Sequence, residues 1–207
     1  MKAIDITRPL YPTMAVWPGD TLFSYDLNWA MEKGSSVNVG TVKMSIHTGT
    51  HVDAPFHYQS EGKTIDHIPL DTYIGPAQVV HLPSKVTFER QDFEAYDFTH
   101  TPRLLIRTDA WPEGASFPEH VPTLAQEAIQ FLAHEGVVCI GLDLPSVDDI
   151  DSKTLDNHHT LTQHQIAILE GLDLSHVEEG TYELVALPLK IKGADGSPVR
   201  AILRHMG

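Results

Sequence analysis

Three histidines and one aspartate fall within eleven consecutive residues of this chain, 47–57. A helix is disfavoured there because Gly49 interrupts the run, several of its residues are β-branched, and Pro55 biases Ala54 away from the helical region. The run therefore predicts an extended loop with a glycine hinge, following a predicted strand at residues 41–47. Such a loop presents alternate side chains on opposite sides, which limits how its ligands can meet.

The polar side chains of this loop are typical metal ligands. In extended backbone His51 and Asp53 project to the same side, and Gly49 lets the chain turn so that His47 can rejoin them. Imidazole nitrogens and carboxylate oxygens suit Zn²⁺ or another borderline divalent ion, and one carboxylate can bridge two ions. The alternative is a set of solvated loop histidines. We favour a metal site because four metal-capable side chains, with His57 among them, share so short a segment.

A second group of candidate ligands lies in residues 153–172, where the sequence predicts a helix that Gly171 ends. In one straight helix, His158 and Glu170 would be separated by about 18 Å along the axis. Side chains and metal bonds bridge at most about 14 Å between two Cα atoms, so one ion could not hold both. Shared ligation requires a later helix start, and a capping box at residues 162–165 would leave His158 in a preceding loop. The alternative is a surface helix with polar histidines.

The remaining pattern predicts one mixed α/β domain over residues 1–207, with more strand than helix. A capping box and apolar spacing predict a helix at residues 123–134, followed by a strand at 137–142 that is apolar on both faces. Turn residues at 193–196 predict a hairpin. Further strands are predicted at residues 3–7, 77–82, 104–108, 182–192 and 198–204.

The charge balance and the cysteine content exclude several classes of protein. Fourteen Lys and Arg against 28 Asp and Glu give a net charge of -14, which disfavours nucleic acid and anionic membranes as partners. The single cysteine, Cys139, excludes an intramolecular disulfide and fits a reducing compartment. The first residues lack a secretory apolar run, and no segment has about 18 uninterrupted apolar residues. We therefore expect a soluble cytoplasmic protein.

The pattern His-x-Gly-Thr-His-x-Asp-x-Pro-x-His, the hallmark of the cyclase-like metal hydrolases, is intact at residues 47–57. The chain resembles this family over nearly its whole length, and two C-terminal segments of the match indicate the formamidase branch. The matching segments outside the hallmark are residues 17–20, 152–158, 168–172, 182–189 and 197–201.

The resemblance implies a swivelling β/β/α fold, a homodimer and two metal ions in each subunit, normally zinc, with manganese as the alternative. It implies two overlapping ligand sets in which Asp53 and Glu170 bridge the ions. The first set is His47, His51, Asp53 and Glu170, and the second is Asp53, His158 and Glu170.

The resemblance also implies a reaction and two further roles. The reaction is hydrolysis of N-formyl-L-kynurenine to L-kynurenine and formate, a step of tryptophan degradation. His57 would be the general acid/base, and Trp17 would contact the substrate. Two alternatives stay open, namely a relative that opens a cyclic amide such as isatin and a non-catalytic metal-binding protein. A supporting role for His164 is also left open.

Overall fold

Short strands and two helices make up the described part of the chain, residues 2–206, in the computed structural model. The helices are α1 (Gln126–His134) and α2 (Asp156–Gln163). The strands are β1 (Ala3–Asp5), β2 (Ser24–Trp29), β3 (Val39–Lys43), β4 (His51–Asp53), β5 (Ile74–His81), β6 (Thr87–Phe88), β7 (Arg103–Arg107), β8 (Thr123–Leu124), β9 (Cys139–Leu142), β10 (Ala167–Glu170), β11 (Gly180–Val185), β12 (Gly196–Pro198) and β13 (Ile202–His205). The mixed α/β class with more strand than helix is confirmed. Neither of these helices is long and apolar enough to cross a bilayer.

Nine strands form one mixed sheet in the order β1-β13-β11-β5-β7-β9-β10-β4-β12. Although β12 and β13 lie near opposite ends of this order, only residues 199–201 join them. That link spans at most about 14 Å, whereas seven strand spacings would span about 33 Å. The sheet must therefore curl until its ends approach. Within the link, Val199 N–H donates to Thr50 O beside β4, and Ala201 O accepts from Ile6 N–H beside β1, each at 3.0 Å.

The central parallel strands separate two apolar cores. In β7, Leu104 and Ile106 face the helical side, where they belong to the same cluster as Ile129 of α1. Leu105 belongs to the other core, together with Val52 of β4. A strand buried on both faces explains the nearly continuous apolar runs in this part of the sequence. Strand β4, which carries His51 and Asp53 of the hallmark, is thus anchored by its apolar side chain in the second core.

Two strand predictions are wrong in extent or pairing. The strand predicted at residues 41–47 ends at Lys43, and residues 44–50 form a loop in which Gly49 has φ +69. The left-handed backbone at Gly49 cannot be part of a strand, so β3 and β4 are separated by this loop. The hairpin predicted around residues 193–196 is not formed. Strand β11 does pair with β13, but β12 lies between them in sequence and pairs with β4 instead.

The helix predicted to end at Gly171 is also wrong, and so is its later start at residues 162–165. Helix α2 ends at Gln163, Gln165 turns the chain with φ +60, and the next residues form β10 beside β9. The apolar run at residues 167–169 is short enough to fit either a helix or a buried strand, and pairing with β9 decides the outcome. The helix predicted from residue 123 begins later because β8 occupies its first positions.

Candidate metal centre

Strand β4 places two of the predicted ligands in a buried part of the sheet. It lies between β10 and β12, with His51 opposite Glu170 and Asp53 opposite Gly196. Residues opposite each other across two strands have Cβ atoms about 4.5–5.5 Å apart. His51, Asp53 and Glu170 are each no more than 3% exposed. The strand register itself therefore brings these side chains together away from solvent.

Two glycines let the loop of residues 44–50 approach the end of β10. A Cβ atom on Gly171 would lie 2.1 Å from the carbonyl oxygen of Gly49, and Gly171 adopts φ +65. The Thr50 hydroxyl donates to the Gly171 carbonyl at 2.5 Å. Glycine at position 171 is therefore required both for the close approach and for the left-handed backbone.

We expect Gly171→Ala to lower the free energy of unfolding by at least about 2 kcal/mol, because it combines left-handed strain with a backbone overlap. Gly193→Ala is the matched control: Gly193 has φ +75, and no atom lies within 4 Å of the position of its Cβ. The control should therefore lose only the strain, about 1 kcal/mol. Urea unfolding followed by circular dichroism compares the two variants. Equal losses would contradict the requirement for a close approach at Gly171.

Three imidazoles and two carboxylates from four segments of the chain meet in one cluster. His47 Nδ1 lies 2.9 Å from Asp53 Oδ1, and His51 Nε2 lies 3.5 Å from the same oxygen and 3.4 Å from Glu170 Oε2. On the other side, His158 Nε2 lies 3.4 Å from Asp53 Oδ2 and 3.8 Å from Glu170 Oε1. Each carboxylate thus turns one oxygen towards His51 and the other towards His158.

The reversal of the chain at Gln165 removes the distance problem that one straight helix would create. His158 lies in the first turn of α2, and β10 brings Glu170 back to it after the turn. The two side chains that a continuous helix would hold about 18 Å apart are 3.8 Å apart at their nearest polar atoms. Shared ligation is geometrically possible because β10 returns Glu170 to His158. It does not require a helix that starts later.

Outer hydrogen bonds fix which ring nitrogen of two histidines faces the carboxylates. His51 Nδ1 donates to the Gly49 carbonyl at 3.0 Å, and His158 Nδ1 donates to Asp148 Oδ2 at 2.7 Å. Both Nε2 atoms therefore face inward with a lone pair free for a metal. Sequence reasoning missed Asp148, which lies in no recognised ligand pattern. Asp148 reaches His158 only in the folded chain. Its Oδ2 atom also accepts the backbone N–H of His158.

Two buried polar atoms of this cluster have no hydrogen-bond partner among the described residues. They are Nε2 of His51 and Oδ2 of Asp53. Because buried polar atoms are nearly always partnered, a divalent cation among these side chains would satisfy both. Nitrogen and carboxylate donors fit zinc or another borderline divalent ion. Three groups among the described residues have all their ligand atoms within 4.8 Å of one another. Two are buried in this cluster, namely His47, His51 and Asp53, and Asp53, His158 and Glu170; the third, His47, His57 and Asp195, lies at its more exposed edge.

The two buried carboxylates affect each other's protonation. Burial disfavours the ionised form of Asp53, but contacts with His158 and His47 hold the pKa of its carboxyl group well below the usual value. Burial and the neighbouring charge of Asp53 raise the pKa of Glu170. The carboxylates of Asp53 and Glu170 have oxygens within 4.8 Å of each other, and two such groups repel unless positive charge lies between them. The electrostatics therefore favour a positive ion at this position.

A cavity of about 480 Å³ opens onto the cluster and has an aromatic wall. The ring of Trp17 meets Phe117 edge-on with centroids 5.4 Å apart, and Phe117 meets Trp111 in the same way at 5.7 Å. Trp17 is the residue that the sequence predicts to contact substrate. Phe117 and Trp111 are not predicted, because neither belongs to a motif. Leu155 also lines the cavity and adopts φ +50, a strained conformation that often marks functional sites.

His57 lies on the cavity side of the cluster, at the end of the 3₁₀ turn Pro55–His57. Its ring stacks on that of His47 with centroids 3.8 Å apart, and 35% of its side chain is exposed. Within residues 2–206 its ring makes no hydrogen bond, so both nitrogens can exchange a proton. Burial lowers the pKa of His57, which favours the neutral imidazole. His164 is exposed after the end of α2 and does not line this cavity.

Comparison with known proteins relates this geometry to a family. The Cyclase family model matches residues 4–149, which is more than half of the chain. This chain belongs to the Cyclase family. The membership confirms the resemblance drawn from the hallmark residues 47–57, which lie within the matched segment of the family model.

Individual proteins similar to this chain include hydrolases. A kynurenine formamidase from Bacillus cereus is 46% identical over 201 residues, which cover 97% of this chain and 96% of the relative. The solved structure of a potential metal-dependent hydrolase with cyclase activity has a TM-score of 0.82 at 29% identity, covering 98% of this chain and 96% of that one. Isatin hydrolase A from Labrenzia aggregata, bound to benzyl benzoate, has a TM-score of 0.82 at 25% identity, covering 98% and 93%.

Proposed function

We propose that this chain is a cytoplasmic metal-dependent arylformamidase that hydrolyses N-formyl-L-kynurenine to L-kynurenine and formate. The observation that carries the proposal is the 46% identity to a kynurenine formamidase over 97% of the chain. The buried cluster of imidazoles and carboxylates supplies ligands for a metal-dependent hydrolase. The aromatic wall of the adjoining cavity suits an aryl substrate.

The cofactors in this proposal are two zinc ions per subunit, with manganese as the alternative. Bound zinc supplies Lewis-acid chemistry, because it lowers the pKa of water to about 7 and polarises a carbonyl oxygen. Asp53 and Glu170 would bridge, since each turns one oxygen to either side. One ion would be held by His47, His51, Asp53 and Glu170, and the other by Asp53, His158 and Glu170.

His57 is the proton carrier in the proposed reaction. When the formyl C–N bond breaks, the departing aromatic nitrogen needs a proton, and a positioned imidazole can supply it. His57 faces the cavity, its ring is held by stacking on His47, and its nitrogens are free of hydrogen bonds within the described residues. It can take the proton released as water adds to the formyl carbon and return it to the nitrogen.

Trp17 and Phe117 orient the substrate in this proposal. Their edge-to-face packing fixes one wall of the cavity beside the cluster, where the aryl ring of the substrate can pack against them. The bond to be cleaved is then held next to His57.

We further propose that two subunits pair through the hairpin formed by β2 and β3. Within residues 2–206 these strands pair only with each other, and Tyr25, Trp29 and Val42 are each more than half exposed. A two-stranded sheet is at best marginally stable alone, and an apolar patch of this kind marks an interaction surface. A second copy of the chain would cover these side chains.

Trp29→Glu is expected to convert the dimer into a monomer, because a charge buried in an apolar interface is strongly destabilising. Sedimentation velocity measures the change. Val86→Glu is the matched control, since Val86 is 82% exposed and lies outside the hairpin. A monomeric wild-type protein, or a Trp29→Glu variant that stays dimeric, would contradict pairing through this hairpin.

Formate release from N-formylkynurenine by the zinc-loaded protein tests the proposed activity. We expect turnover of this substrate and no ring opening of isatin. The reverse result would assign a cyclic-amide hydrolase, the alternative that the likeness to isatin hydrolase A supports. Metal binding without turnover of either substrate would assign a non-catalytic metal-binding protein.

A further inference from the structure

Asp195 lies against the outer edge of His47. Its Oδ2 atom is 3.0 Å from His47 Nε2, while Nδ1 of the same ring is 2.9 Å from Asp53 Oδ1. An ionised carboxylate can only accept, so without a metal each of these contacts takes a hydrogen from the ring; when a metal takes the lone pair of the inner nitrogen, the remaining hydrogen lies on Nε2 and points to Asp195. Nδ1 is then the nitrogen of His47 that faces the bridging carboxylate and the proposed metal.

The arrangement completes a pattern shared by the three imidazoles of the cluster. His51 gives its outer N–H to the carbonyl of Gly49, and His158 gives its outer N–H to Asp148. Acceptors of this kind orient metal-binding histidines, select their tautomers and raise the basicity of the ligating nitrogen. Asp195 is the acceptor for His47, across a sequence separation of 148 residues.

The backbone that carries Asp195 is held in place on several sides. Its carbonyl accepts the N–H of Ala54 at 2.9 Å, directly after the hallmark aspartate, and the carbonyl of Ala194 accepts the N–H of Ile65 at 2.9 Å. Gly193 N–H donates to Asp66 Oδ1 at 3.0 Å. The next residue, Gly196, pairs with Asp53 across β12 and β4. These bonds keep the carboxylate at a fixed distance from β4.

We propose that Asp195 is a positioning residue of the metal centre, which accepts the Nε2–H of His47 and holds Nδ1 of that ring towards Asp53. The role rests on the proposed metal function. It is exerted through His47, because His57 Nδ1 lies 3.8 Å from Asp195 Oδ2, too far for a hydrogen bond. Asp195 therefore contributes to one of the two ligand sets and not to the set that contains His158.

Zinc affinity measured by competition with a chromogenic chelator tests this role without any substrate. We expect Asp195→Ala to weaken one of the two zinc sites by about 10–100-fold and to leave the other unchanged, as for other outer partners of metal-binding histidines. Asp195→Asn keeps an acceptor oxygen and the side-chain volume, so it should recover part of the lost affinity. Asp66→Ala is the matched control, since it removes the acceptor of the Gly193 N–H in the same loop without touching His47.

The possible results separate this role from the proposed activity. Unchanged zinc affinity in Asp195→Ala, equal weakening of both sites, or an equal loss in Asp66→Ala would overturn the positioning role. If the alanine variant does not fold, the zinc affinity of Asp195→Asn tests the role instead, because this variant preserves the shape of the side chain. Zinc affinity equal to that of the wild type at both sites would then overturn the positioning role. A selective loss of zinc affinity in a protein that fails to hydrolyse N-formylkynurenine would support the role of Asp195 and reject the substrate. If the wild-type chain bound no zinc, both proposals would fail.

Discussion

Asp53→Ala is expected to leave the protein without either metal ion and to lower the rate of N-formylkynurenine hydrolysis by at least about 10³-fold. Loss of an outer partner of a metal ligand already costs about 10–100-fold. This variant removes a direct ligand from both proposed sets, because Asp53 turns Oδ1 towards His47 and His51 and Oδ2 towards His158. Elemental analysis of the purified variant measures its metal content.

Asp53→Asn removes the charge of the side chain but keeps its volume, whereas Asp53→Ala removes both. Asp53→Asn keeps the shape of the side chain and one acceptor oxygen, yet it is a much weaker ligand than a carboxylate. We expect both ions to be lost or greatly weakened in this variant too. Thermal unfolding of the two variants beside the zinc-free wild type shows whether each is folded. Retention of two ions by either folded variant would contradict the bridging role of Asp53.

Replacing His57 with Ala is expected to leave both ions in place while kcat falls by about 10²–10⁴-fold, the usual worth of a positioned general acid or base. The ring stacks on His47 but makes no hydrogen bond to the cluster, so the contacts of His47 with Asp53 and Asp195 remain without it. Metal content and kcat are measured on the same preparation, which separates a loss of chemistry from a loss of metal.

His164→Ala is the matched control for the His57 variant. His164 is also a histidine near the functional segment, but it is exposed and does not line the cavity, so both metal content and kcat should be unchanged. If His57→Ala lost its metal and kept its rate per bound ion, His57 would be a ligand and not the proton carrier.

The chemistry of the centre could be read from the sequence because the residue types are distinctive. Few segments combine His47, His51 and Asp53 so closely, and Gly49 with Pro55 excludes a helix there. The extended backbone of His51 and Asp53 in β4 follows from these local preferences. Local pattern also identified the apolar strand β9 and most of α1, because both have strong periodicity and clear boundaries.

Features that depend on pairing between distant segments were not predictable. The run at residues 167–169 fits a helix or a strand equally well until β9 is available beside it. The segments around residues 193–196 look like a hairpin, yet β12 pairs with β4 at the opposite end of the curled sheet. Asp148 and Asp195 gain their contacts with histidines only in the folded chain, so no local motif marks either of them.

Diffraction from crystals of the zinc-loaded protein, with anomalous data on both sides of the zinc edge, measures the central claim most directly. We expect two anomalous peaks, both within bonding distance of the carboxylates of Asp53 and Glu170. One peak should lie beside His47 and His51, and the other beside His158. A single peak, or a Glu170 carboxylate turned away from both ions, would contradict a shared dinuclear centre.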